Sequence, residues 1–217
     1  MALTTEQTLL LENLMYMEPD EGRPFQKVDS FEGQTVGEWL NRIDVSAITD
    51  SGDKIPMTTA EEWKNIINAV KQDDTLMNMT ILTTHEDYAS GGGGGRSAVF
   101  VSESTGDAVV AFKGTETPEE WVDNFIGGNL PETNHQKNAL KWYQDTYKEY
   151  QLGDYEVTVT GHSKGGNKAK YITLMDDTVD HCVSFDGQGF SDEFMETYSD
   201  EIAARQHKIE NHNVDYD

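Results

Sequence analysis

Residues 161–165 read Gly-His-Ser-Lys-Gly, a serine held between two glycines at fixed spacing. A serine hydroxyl is a poor nucleophile in water. It becomes useful when the backbone lifts it toward a base and toward donors that can hold a developing oxyanion. The flanking residues can do the lifting. Val157 to Thr160 is a β-branched run that predicts a buried strand, and a helix-compatible stretch follows from about Asn167 to Met175. Strand, tight turn and helix in that order make a nucleophile elbow, with Ser163 at its tip. Such a turn leaves almost no room for side chains beside it, so its flanking positions are glycine. The bland alternative is a glycine-rich helix start after a strand, and it accounts less well for the order of elements.

An acyl-transfer site needs more than the serine. The backbone N–H of Lys164 is the expected first oxyanion donor. A second donor must come from a loop after an earlier strand, and Phe112-Lys113-Gly114-Thr115 is the best candidate. Gly114 would let backbone approach a substrate, and Thr115 could offer both its N–H and its hydroxyl. A plain strand-ending turn explains that segment equally well. For the base, all six histidines, His85, His135, His162, His181, His207 and His212, read first as structural or surface residues, and His212 and His207, which follow the serine in the correct chain order, are the ones to consider first. His207, His212, Asp215 and Asp217 also cluster in sequence. On one strand His212 would face away from Asp215 and Asp217, so no metal site is expected. Gly95-Arg96-Ser97 faintly echoes a phosphate-binding loop but precedes a strand where such a loop precedes a helix, so Gly91 to Gly95 reads as a flexible loop.

The elements that must carry these residues alternate. Thr4 to about Met17 is a predicted helix with Thr4 and Gln7 as a capping box. Residues 18–56 are mixed, with a short helix around Trp39, Leu40 and Ile43. A stronger helix begins at Thr58 with Glu61 as capping partner, and Trp63, Ile66, Ile67 and Val70 form its apolar face. Strands are predicted at Met79 to Thr84, Ser97 to Ser102 and Ala108 to Phe112, the last two as a hairpin. A short helix at Pro118 to Phe125, a longer one at Asn134 to Tyr150, a strand at His181 to Phe185, a helix near Ser191 to Gln206 and a strand near Lys208 to Val214 complete the pattern. Strands alternating with helices predict an α/β fold with a mostly parallel sheet covered on both faces. One domain is expected over 1–217, with 1–75 mainly helical and 76–217 the sheet-bearing core.

The chain has 217 residues with 40 Asp and Glu against 16 Lys and Arg, a net charge of −24. Such a surface repels phosphate backbones and anionic membranes, which disfavours nucleic acid as a partner. A single cysteine, Cys182, excludes an intrachain disulfide and reads as a core thiol. The start lacks the basic segment of a secretory signal, and no apolar run reaches membrane-span length. The expected location is cytoplasmic, or outside the cell by a route without a cleaved signal.

F-K-G-T at 112–115, E-E-W-V-D-N at 119–124, T-G-H-S-K-G-G-N at 160–167 and F-D-G-Q-G-F at 185–190 together resemble the class 3 lipases. The resemblance is closest to a bacterial branch of lipase-like proteins, catalogued as a domain of unknown function, whose elbow is G-H-S-K-G-G-N. It covers roughly 76–217. Lys164 stands where class 3 lipases usually carry leucine, and Lys113 where they carry an arginine that makes a supporting ion pair. The resemblance implies a three-layer α/β-hydrolase fold, no cofactor, and hydrolysis of a lipid or other carboxylic ester through an acyl-enzyme. It places the triad acid at Asp217, 54 residues after Ser163, with Asp215 second and Asp186 third. In the family the catalytic histidine comes well after the acid. The resemblance therefore implies that the segment bearing it is absent, and a missing terminal element would leave apolar surface for a second copy to cover. The alternative is a hydrolase-fold protein that binds without doing chemistry.

Overall fold

Strands whose residues are buried on both faces need cover on two sides, and here the cover comes from different parts of the chain. The computed structural model describes residues 3–20, 22–50, 58–87, 95–114 and 132–213. Six strands form one sheet in chain order: β1 (Thr80–Asp87), β2 (Gly95–Ser102), β3 (Asp107–Phe112), β4 (Glu156–His162), β5 (His181–Phe185) and β6 (Ile209–His212). The first two pairings are antiparallel and the last three parallel, so the sheet is mostly parallel as expected. The β2–β3 hairpin pairs Ser97 with Phe112 and turns through Gly106 at φ 74°. Val159 lies opposite Val110 on one side and Cys182 on the other, which makes β4 a central strand.

Around the sheet lie α1 (Thr5–Leu14), α2 (Val36–Leu40), α3 (Ala60–Lys71), α4 (Asp74–Met77), α5 (Asn134–Glu149), α6 (Lys164–Met175), α7 (Asp192–Thr197) and α8 (Ser199–Arg205). Side chains alternate along each strand, and the alternation sorts the core into two layers. Ala98, Phe100, Val109 and Ala111 pack with Leu11, Leu14, Trp39, Trp63 and Ile67 from the N-terminal helices. Val99, Val110, Val157 and Val159 pack with Ala139 and Tyr143 of α5 and with Ala169 and Ile172 of α6. Crossovers of one hand between neighbouring parallel strands put their helices on one face. The N-terminal third of the chain covers the other.

Local sequence explains most element starts. Thr4 with Gln7, Thr35 with Glu38, and Thr133 with Gln136 form complete capping boxes. The helix expected from Thr58 starts one residue later, because the Thr59 hydroxyl accepts from the Glu62 N–H and Glu62, not Glu61, reaches back. The elbow helix begins at Lys164, directly after the serine, not near Asn167. The helix expected over Ser191 to Gln206 is two helices, broken where Tyr198 leaves helical backbone (φ −110°, ψ 30°) and packs its ring 4.9 Å from that of Phe194. The strand expected to end at Thr84 continues to Asp87, so His85 belongs to β1 and stacks on Trp142 at 5.6 Å. The expected helix at 118–125 and residues 91–94 of the glycine run lie outside the described residues.

Trp39 is fully buried, stacks on Phe31 at 5.7 Å and donates its indole N–H to the Gln26 carbonyl at 3.1 Å. Trp39→Ala is expected to cost about 3–5 kcal/mol of unfolding free energy. Urea titration followed by tryptophan fluorescence and by circular dichroism should show one coincident transition, since the N-terminal helices and the sheet share a core.

Candidate functional site

At the carboxyl end of β4 the backbone reverses within a single residue. Ser163 has φ 55° and ψ −117°, a conformation that non-glycine residues rarely adopt and that persists only where the surroundings enforce it. The enforcement is visible. A Cβ on Gly165 would overlap the carbonyl oxygen of Phe112 at the end of β3, and one on Gly161 would overlap the backbone of Gly165. The first turn of α6 thus lies directly on the sheet edge. Three backbone bonds fix the tip: Ser163 N–H donates to the Phe185 carbonyl at 2.9 Å, while the Ser163 carbonyl accepts from Asn167 at 3.1 Å and from Gln188 at 3.3 Å. Ser163 is 6% exposed.

The Asp-Gly-Gln-Gly segment after β5 is fastened to the same helix. The Asn167 amide donates to the carbonyls of Gln188 (3.1 Å) and Gly189 (2.9 Å) and accepts from Gln136 at 2.8 Å. Lys170 is 9% exposed and donates to the Gly187 carbonyl at 3.0 Å. Burial holds its ammonium below the usual lysine value.

On the other side of the elbow, β3 is followed by Lys113 and Gly114. Lys113 is almost fully buried and pairs with Glu18 at 2.7 Å. Arg96, equally buried, reaches Glu18 and Glu86, both at 2.9 Å. Lys113 therefore makes an ion pair whose carboxylate comes from the segment after α1. Gly114 N–H donates to the Tyr16 hydroxyl at 2.9 Å, and that hydroxyl lies 3.1 Å from Nδ1 of His162. The far nitrogen of His162 faces Asp186 at 4.0 Å. Burial holds the His162 imidazole below the usual histidine value, and Asp186 offsets this in part. Beneath His162, the Glu12 carboxylate accepts the His162 N–H at 3.2 Å through Oε1, while its buried Oε2 has no hydrogen-bond partner among the described residues. Burial pushes the Glu12 carboxyl well above the usual range, against the pull of the His162 N–H and of Lys113.

The residues expected from sequence are distributed unevenly. Ser163 and Lys164 sit at the elbow. Thr115, Asp215 and Asp217 lie outside the described residues. The strand leading to the two aspartates, β6, runs parallel to β5 and ends at His212 on the same sheet edge as the serine. His212 stacks on Phe185 at 5.6 Å and pairs with Glu210 at 2.6 Å. His207 precedes β6 and is therefore at the opposite edge. There it lines a cavity of about 230 Å³ with Thr158, His181, Cys182 and Lys208. The structure does not bring His207 to Ser163. Cys182 is buried there, and burial pushes its thiol up to about 12. Asp186 follows β5 at φ 46° and donates its N–H to the His212 carbonyl at 2.7 Å. Sequence patterning gives no sign of Glu12 and Tyr16. Their four-residue spacing puts both on one side of α1 and its continuation, but nothing local says what that side meets.

A mostly parallel sheet covered by helices on both faces, with a strand–serine–helix turn at its carboxyl edge, is an α/β-hydrolase-like fold. Residues 72–212, well over half of the chain, match the family described as Mbeg1-like, and the chain belongs to that family. Among solved structures it is similar to the Lip2 lipase of Yarrowia lipolytica, with 14% identity and a TM-score of 0.52 over 96% of this chain and 69% of that one. A fungal lipase in complex with an inhibitor, described as a model for interfacial activation, matches at 15% identity and TM-score 0.42 over 63% of this chain and 57% of that one. The lipase of Rhizopus microsporus var. chinensis matches at 14% identity and TM-score 0.42 over 92% and 73%. The comparison with curated proteins found no match. At these identities the likeness is one of fold.

Two outcomes follow from the packing and the buried carboxyl. Gly165→Ala should destabilise the protein by about 1–3 kcal/mol in thermal or urea unfolding, since the opposing atom is backbone and cannot swing away. Glu12 has a raised folded pKa, so the folded state holds a proton that the unfolded chain releases as pH rises past the ordinary value. Stability is therefore lost between the unfolded and folded pKa values. Unfolding measured at about pH 4 and about pH 8 should show Glu12→Gln gaining on the parent protein as pH rises.

Proposed function

We propose that this chain is a serine hydrolase of lipase or esterase type that cleaves carboxylic esters, lipid esters among them, through an acyl-enzyme. The observation that carries the proposal is the backbone of Ser163, positive in φ and fixed by glycine contacts at the carboxyl edge of a central parallel strand. Ligand sites of α/β sheets collect at that edge. In the proposed reaction the Ser163 hydroxyl oxygen attacks the ester carbonyl as a base takes its proton. The tetrahedral oxyanion is held by the N–H of Lys164 and by Thr115. The alkoxide leaves as an alcohol after receiving that proton, and water then releases the carboxylic acid from the serine. Each oxyanion donor contributes about 10²–10³ in rate in such sites.

Asp217, with Asp215 as second choice, is the proposed acid, and the parallel course of β6 toward the serine's edge supports it. His212 is the better placed of the two candidate bases, though its ring is engaged by Glu210 and Phe185. That engagement favours the alternative, a hydrolase-fold protein that binds an ester or a protein partner without turning it over.

Labelling with a fluorophosphonate probe separates the two. The chain should be labelled, and Ser163→Ala should fold normally and lose the label entirely. Absence of label on the parent chain would mean that Ser163 is not activated, and the binding reading would replace this one.

A further inference from the structure

The residues that precede the proposed nucleophile and the proposed second oxyanion donor are both held by one side chain from outside the family-matched region. Gly114 precedes Thr115, and His162 precedes Ser163. Gly114 lies two residues past the end of β3 and His162 is the last residue of β4, both just beyond the final pair of their parallel register, Phe112 with Gly161. Tyr16, just beyond the end of α1, accepts the Gly114 N–H at 2.9 Å and meets Nδ1 of His162 at 3.1 Å. The family match begins at residue 72.

We infer that Tyr16 is a positioning residue for Ser163, holding the elbow against the chain just past β3 through His162 and Gly114. The inference rests on the reading of Ser163 given above. One consistent set of donors runs from Gly114 N–H to the Tyr16 oxygen and from Tyr16 O–H to Nδ1 of His162, whose Nε2 then carries the proton and faces Asp186 at 4.0 Å. The ring is itself held in place. It meets the His162 ring edge-on at 5.9 Å, and the Lys113 ammonium, anchored by Glu18, lies 5.4 Å over its face. Glu12, one helical turn earlier, takes the His162 N–H, so α1 and its continuation hold His162 at both backbone and side chain. Gly114 has no side chain for a steric reason too: a Cβ there would sit 2.8 Å from the Tyr16 hydroxyl and overlap the His162 carbonyl. A tyrosine hydroxyl that joins the two strand ends fixes a spacing that backbone pairing, already finished at Phe112 and Gly161, no longer controls. Misplacement of a reacting group by about 1 Å is enough to cost on the order of 10²-fold in rate.

Tyr16→Phe keeps the ring and removes only the hydroxyl. Amide hydrogen exchange should rise about tenfold or more at Gly114, with Val110 and Val159 unchanged, which separates loss of the clamp from loss of stability. In fluorophosphonate labelling, the maximal inactivation rate should fall about tenfold while the half-saturating probe concentration stays the same, since the defect is in the reacting geometry and not in binding. Unchanged exchange at Gly114, or an unchanged inactivation rate in a chain that is labelled at Ser163, would overturn the inference and leave the reading of the serine intact. If the parent chain takes no label, the reading of Ser163 falls, the catalytic part of the inference falls with it, and exchange at Gly114 alone decides whether the clamp exists.

Discussion

The contact between the first turn of α6 and the end of β3 is the constraint on which the rest of the site depends. With no side chain at 165, the helix backbone rests on the Phe112 carbonyl, and Ser163 is forced into positive φ. Strain of this kind costs of order 1–3 kcal/mol and survives only when many other contacts determine the position. Here those contacts are the long apolar ladder of β3 and β4 and the burial of α6, whose residues from Gly165 to Leu174 are all buried. The helix cannot retreat without losing that packing. The sheet edge is therefore a fixed platform, and Lys113, Gly114 and the Asp-Gly-Gln-Gly segment after β5 are set relative to it.

Burial of charge marks the same region. Lys113, Arg96 and Glu12 are almost completely removed from water in a protein whose net charge is −24. Two cations can be kept inside because Glu18 and Glu86 neutralise them at 2.7–2.9 Å. A buried pair of this kind adds little net stability, since desolvation offsets most of the attraction, but breaking it by removing one partner is costly. Its effect is to fix where the segment after α1 meets the end of β3. Glu12 makes no ion pair among the described residues, and burial pushes its carboxyl well above the usual range. Charge burial thus ties the N-terminal helix to the edge of the sheet.

The two ends of the parallel strands differ in kind. The carboxyl edge carries the strained serine, the fastened Asp-Gly-Gln-Gly segment and the Tyr16 bridge. At the amino edge, Lys208 donates to the carbonyls of Asp177 and Val179, His181 pairs with Glu156, and a small cavity lies over Cys182. These contacts close turns and tie strand ends together. Parallel strands impose this polarity, because every helix returns the chain to the same end before the next strand begins.

The elbow, the hairpin and the Thr4–Gln7 capping box were legible in the sequence because each is a local matter. A β-branched run followed by Gly-x-Ser-x-Gly, or a threonine three residues before a glutamine or glutamate, specifies its own geometry over a few residues. Small errors arose where two local solutions compete, as with Thr58 and Thr59, or where an aromatic ring ends a helix to reach its neighbour, as at Tyr198. What only the tertiary structure decided is which distant residues meet. His207 and His212 are five residues apart and looked alike as candidates, yet a short parallel strand sends them to opposite edges of the sheet. Tyr16 and Glu12 lie about 150 residues before His162 and carry no local mark of their partners. Their place is set by the need to cover the second face of the sheet, a requirement that belongs to the assembled strands and to no segment of the sequence alone.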